Sequence, residues 1–186
     1  MPQIFTTIET NITLKENKQL FSSGSINITY VPTAIYGNPY KTAISFFLAE
    51  VFYKALREHE QNLALYHFMK DTVMEIDHIP GLNTNIHLIK LLALSKFLGI
   101  QPKLDHSPSK AFFNLLTGSY QPDYYPQTCL PAALSIAFFD LAHNLDCKIT
   151  KSQRNSLIEF LLMYLREHHF NFGEINSLQV LKQVFD

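Results

Sequence analysis

Near residue 38 the chain changes its period, and that change sets what it can fold into. Upstream, Ile4, Thr6, Ile8, Thr10 and Ile12 alternate with Phe5, Thr7 and Glu9. A period of two belongs to a strand with one apolar side. Lys15-Glu16-Asn17-Lys18 reads as a turn, and Gln19–Ser23 with Ser25–Val31 as a second strand, Gly24 marking a bulge. Two strands alone do not make a stable sheet in water. They must pack on helices, pair with another chain, or belong to a larger β domain.

Downstream the period is helical. Asn38 suits an N-cap and Pro39 the first helical position. Ala43, Ile44, Phe47, Leu48, Val51, Phe52, Ala55 and Leu56 then form one continuous apolar face. The spacing of Leu63, Leu65, Tyr66, Met69 and Val73 predicts a second helix over 62–76, ended by Pro80-Gly81. A third, over 84–98, is apolar almost all round, as a helix at the centre of a bundle must be. Gly99 and Pro102 stop it. Ala111–Leu116 is expected to be a short helix and Gln121–Gln127 a loop. Further helices are predicted over 131–145, from the capping box Thr150-Lys151-Ser152-Gln153, and after Ser177. The expected fold is mainly α: a bundle of about six to seven helices over 37–186, preceded by a β segment over 1–36.

Composition narrows function by exclusion. Fifteen Lys and Arg against sixteen Asp and Glu give a net charge of −1, so no global pull toward nucleic acid or anionic lipid exists. No run approaches the roughly 18 apolar residues of a membrane span, and the first residues lack the pattern of a signal peptide, so a cytoplasmic protein is expected. Two cysteines, Cys129 and Cys147, cannot make a disulfide framework or a four-thiolate zinc site. No phosphate-cradling glycine loop and no nucleophile elbow occurs. Asp140, His143, His168 and His169 lack metal-ligand spacing, and adjacent histidines on a helix point about 100° apart. No cofactor and no catalytic group is expected.

The basic residues carry the remaining signal. Lys54 and Arg57 lie three apart on the first helix, and Lys90, Lys96 and Lys103 sit on or just after the most apolar one. A lysine on such a helix must reach solvent or an acidic partner. Either it is a solvated side chain, or it rims a groove with an apolar floor suited to an acidic, hydrophobic peptide tail.

The stretch Tyr36-Gly37-Asn38-Pro39-Tyr40-Lys41-Thr42-Ala43-Ile44, running into Phe47-Leu48-Ala49-Glu50 and Tyr53-Lys54-Ala55-Leu56-Arg57-Glu58, resembles the first helix of the helical domain of RecO. The segment from Leu88 to Leu104, with its Leu98-Gly99 pair and Pro102-Lys103-Leu104, is similar to that family's apolar helix and its sequel. The ending Ile175-Asn176-Ser177-Leu178-Gln179-Val180-Leu181-Lys182-Gln183-Val184-Phe185 is similar to its C-terminus. The series spans nearly the whole helical region in order and resembles the Bacteroidetes type.

The resemblance implies a recombination mediator of the RecFOR pathway, acting in DNA repair by binding. Members bind single- and double-stranded DNA, anneal strands coated with single-stranded DNA-binding protein (SSB), dock the acidic, Phe-ending SSB tail on their helices, and with RecR help load RecA. They begin with an oligonucleotide-binding (OB) β-barrel. Residues 1–31 then correspond to its last strands alone, so the barrel is expected to be truncated and its edges free for dimerisation, strand swapping or a modified sheet. Asp105-His106-Ser107-Pro108 stands where some members carry a four-cysteine zinc module, so no zinc is implied. Lys54, Arg57, Lys90, Lys96 and Lys103 are the implied partner or DNA contacts. The competing expectation is a helical protein-interaction domain without DNA binding.

Overall fold

The computed structural model describes residues 3–13, 22–56, 61–81, 83–143, 148–169 and 172–185. Arg57, Cys147 and the turn predicted over 15–18 lie outside the described residues.

Strands β1 (Thr7–Thr13) and β2 (Ser22–Tyr30) form an antiparallel hairpin. Between the pairs Thr10↔Ile26 and Ile12↔Ser23 the second strand carries one extra residue, which places a bulge at Gly24-Ser25. The alternation holds from Thr7; the expected strand does not reach Ile4, because Ile4 and Phe5 form a turn with Phe5 at φ +64°. Ile8 pairs with Ile28 and Thr10 with Ile26 on one face, while Glu9 pairs with Asn27 on the other.

Six helices follow among the described residues: α1 (Pro39–Ala55), α2 (Leu63–His78), α3 (Ile86–Phe97), α4 (Ala132–His143), α5 (Lys151–His168) and α6 (Leu178–Val184). None is long and apolar enough to cross a membrane. The Asn38 side chain accepts from the Tyr40 and Lys41 amides, with Pro39 opening the helix as expected. Ala43, Ile44, Phe47, Leu48, Val51, Phe52 and Ala55 make up the buried apolar face of α1. Lys41 is buried beside them. Its ammonium donates to the carbonyls of Asp77 and Ile79, 2.9 Å each, at the negative end of α2.

The all-round apolar helix is central, as its composition required. α3 packs against α2, α4 and α5. It ends in a Schellman turn: Gly99 has φ +73°, the Ile100 amide donates to Ser95 at 2.9 Å, and the Gly99 amide donates to Lys96 at 3.1 Å. α5 starts at the expected capping box, with Thr150 and Gln153 bonding reciprocally. Ser177 precedes α6 but makes no side-chain cap; its hydroxyl donates instead to Glu50 on α1, 2.6 Å away.

One expected element is different. Residues 111–116 are not a helix but lead into a second hairpin, β3 (Phe112–Asn114) with β4 (Ser119–Gln121). The Asn114 side chain accepts from the Leu116 amide at 2.8 Å, and Gly118 takes φ +63° to close the turn. These are turn chemistry that competes with helix. The hairpin drives Phe113 into the core against Phe138, Phe160, Tyr120 and Tyr164.

Candidate functional site: a lysine-rimmed groove beside the central helix

Ile89, Leu92, Ala93 and Lys96 share one face of α3, because residues three, four and seven apart stack on a helix. Leu141 and Ala142 of α4 face them, and Gln101, Pro102 and Leu104 close the third side. Together they bound a cavity of about 210 Å³, apolar except for Lys96 and Gln101. The Schellman turn is what folds the 100–104 segment back onto α3. The Lys103 amide donates to the Gly118 carbonyl at 2.7 Å, and the Tyr164 hydroxyl donates to the Ile100 carbonyl at 2.6 Å, so both ends of that segment are tied to the core.

Lys96 is exposed at the rim and has no carboxylate within ion-pair distance among the described residues. Lys103 is exposed beside residues that line the same cavity. An apolar floor next to a free ammonium suits a ligand with an apolar body and an anionic end.

The other lysines singled out in the sequence lie elsewhere. Lys90 turns to α2, where its ammonium meets Glu75 at 2.5 Å and lies 6.0 Å from the Phe68 ring centre. Lys54 pairs with Glu50 at 3.6 Å and donates to the Glu174 carbonyl, holding the segment before α6. Sequence reasoning did not single out Pro102, Leu141 and Ala142 as walls of the groove. The available signal was the run Ile89, Leu92, Ala93, Lys96, a stripe that ends in a charge.

A family model described as recombination protein O C terminal matches residues 37–172. The chain belongs to the RecO family. Helices α1 to α5 and the groove fall within that match, and α6 follows it. DNA repair protein RecO of Bacteroides fragilis is 29% identical over 161 residues, covering 83% of this chain and 66% of that protein. The RecO proteins of Azobacteroides pseudotrichonymphae (27%, covering 85% and 68%) and Christiangramia forsetii (30%, covering 82% and 65%) are similar. The chain thus spans about two thirds of the length of these RecO relatives. No solved structure matches it.

Proposed function

We propose that this chain serves DNA repair and recombination by binding rather than catalysis, and that its α3–α4 groove receives the acidic, Phe-ending tail of SSB. Family membership supports the repair role, and relatives carry the name DNA repair protein RecO. The observation that carries the docking site is the free Lys96 ammonium at the rim of an apolar cavity. A terminal Phe ring enters between Leu92, Pro102 and Leu141, its carboxylate meets Lys96, and the upstream acidic residues pass Lys103. In this reading RecR and DNA are further partners, annealing and RecA loading are the outcome, residues 1–36 are part of an OB fold, and the protein works in the cytoplasm.

A labelled SSB-tail peptide titrated into the protein tests this. Phe-dependent binding in the micromolar range, roughly −8 kcal/mol, is expected, with at least a tenfold loss for Lys96→Glu. Equal binding by a peptide lacking Phe, or by Lys96→Glu, would reject the groove.

A second reading is a protein-interaction domain without DNA binding. It is favoured by one observation: Lys54, Lys90, Lys110 and Lys182 each pair with a carboxylate of the chain itself, which partly offsets their charge toward phosphate. Single-strand affinity that falls steeply with salt supports the DNA-binding reading; its absence supports this one.

A further inference from the structure

His87 lies in the first turn of α3 and is buried beneath α6. Its neighbours come from three other helices. Phe47 of α1 meets its ring edge to face. Arg154 and Ile158 of α5, with Leu181, Lys182 and Phe185 of α6 and its C-cap, bound a small cavity with it. The ring Nδ1 is buried without a hydrogen-bond partner among the described residues. The charged groups that line this cavity are of one sign. Arg154 donates to Asn85 and Thr84, and Lys182 pairs with Glu159, which is not among the lining residues. The α1 neighbour is an aromatic ring, and on α3 itself Lys90 turns away to Glu75. Asp186 lies outside the described residues. A proton on His87 therefore adds a third positive charge, out of water and with no carboxylate among the described residues that line the cavity.

We infer that α6 is an acid-released latch: protonation of His87 shifts α6 from docked to open while the other helices stay folded. α6 is the element suited to move. Seven residues do not hold a helix by themselves, so α6 exists only while it is docked. Opening takes Leu181, Lys182 and Phe185 off the His87 ring and lets water reach it. Docking and protonation therefore exclude each other. Burial, and then the Arg154 charge, lower the His87 pKa to about 3 in the docked state, against about 6.5 in water. A lowered pKa in the docked state means that docking is complete above about pH 7 and weakens as pH falls below about 6.5. Glu50, which holds the start of α6, does not titrate in that window. Burial would raise its carboxyl, but the Ser177 hydroxyl and the Ser177 and Asn176 amides outweigh burial and hold it below the usual range. The latch uses none of the residues that line the α3–α4 groove and stands apart from tail binding.

Amide hydrogen exchange of the full chain tests the inference, each rate being divided by the intrinsic rate at the same pH. From about pH 7.5 to pH 5 the protection of amides 181–185 should fall about thirtyfold, the ratio set by an imidazole that titrates near 6.5 only when α6 is open. Amides of α3 and α5 should keep their protection over the same range. In His87→Leu the fall at 181–185 should shrink to less than about threefold, since no group beneath α6 then gains a proton. Lys182→Glu keeps His87 and sets a carboxylate at the cavity, so it should shrink the fall as well. Protection at 181–185 that stays constant with pH, or rises in acid, would overturn the inference. So would a loss shared equally by α3, which is global unfolding, or a fall that persists undiminished in either variant.

Discussion

The Tyr30 hydroxyl donates to the Asp77 carboxylate at 2.6 Å, which joins the last residue of the β arm to the last turn of α2. The same carboxylate accepts the amides of Thr33, Ala34 and Ile35 at 3.2, 2.8 and 2.9 Å. One buried acid therefore fixes where the chain passes from strand to helix. Burial alone would raise the Asp77 pKa, but the Tyr30 hydroxyl and the three amides outweigh it and hold it below the usual range. Tyr30 moves the other way, to about 12, through burial and then its bond to Asp77.

Removing that hydroxyl should loosen the joint. Tyr30→Phe is expected to cost about 1.5–3 kcal/mol, the range for a hydrogen bond to a charged group. Asp77→Asn should cost more, because an amide turns donors toward donors. Urea unfolding gives the stability, and faster amide exchange at residues 33–35 locates the change. Since the folded pKa of Asp77 is depressed, its contribution is complete above about pH 4 and is lost as pH falls through the lowered value.

His87 supplies a different acid sensitivity. It is 2% exposed, with the Phe47 and Phe185 rings 6.2 and 6.1 Å away. Burial, and then the Arg154 charge, lower its pKa to about 3. The unfolded chain binds a proton near pH 6.5 that the folded chain refuses, so stability falls as pH drops through that window. From pH 8 to pH 5 the loss is about 2 kcal/mol. In His87→Leu the difference in unfolding free energy between these two pH values should shrink by that amount.

Glu50 holds α6 from across the sequence. Its carboxylate accepts the Asn176 and Ser177 amides at 3.0 and 2.8 Å as well as the Ser177 hydroxyl. A seven-residue helix does not persist on its own propensity. Glu50→Ala should cost about 2 kcal/mol and expose the amides of 178–184 to rapid exchange while α3 stays protected.

Gly118 couples the second hairpin to the groove. A Cβ there would lie 2.9 Å from the Tyr164 hydroxyl oxygen, at a φ of +63°. Gly118→Ala should cost about 1–2 kcal/mol for the left-handed backbone, and more for the contact. Because Tyr164 bonds the Ile100 carbonyl, its displacement should also shift the 100–104 wall and weaken tail binding. Thermal denaturation together with peptide titration separates the two effects.

Periodicity determined much of this molecule. The strand alternation from Thr7 onward, the α1 face from Ala43 to Ala55, the Asn38 and Thr150 caps and the Gly99 stop all follow from local backbone chemistry and are present, whereas Ile4 and Phe5, read as strand, lie in a turn. The all-round apolar composition of α3 also marked it as central, since only a surrounded helix can bury every side. Tertiary structure decided the rest. Phe112–Asn114 could pack as helix or strand, and it is the Asn114 turn with Gly118 and the position of Phe113 in the core that select the strand. Lys90 and Lys96 look equivalent in sequence, yet six residues of helix place them about 120° apart in azimuth around its axis. That rotation gives Lys90 to Glu75 and leaves Lys96 free at the groove. Glu50 shows only its local pair with Lys54 in the sequence, and Asp77 and Lys41 show nothing. Their tertiary partners lie 36 to 127 residues away, and only folding brings those groups within hydrogen-bonding distance.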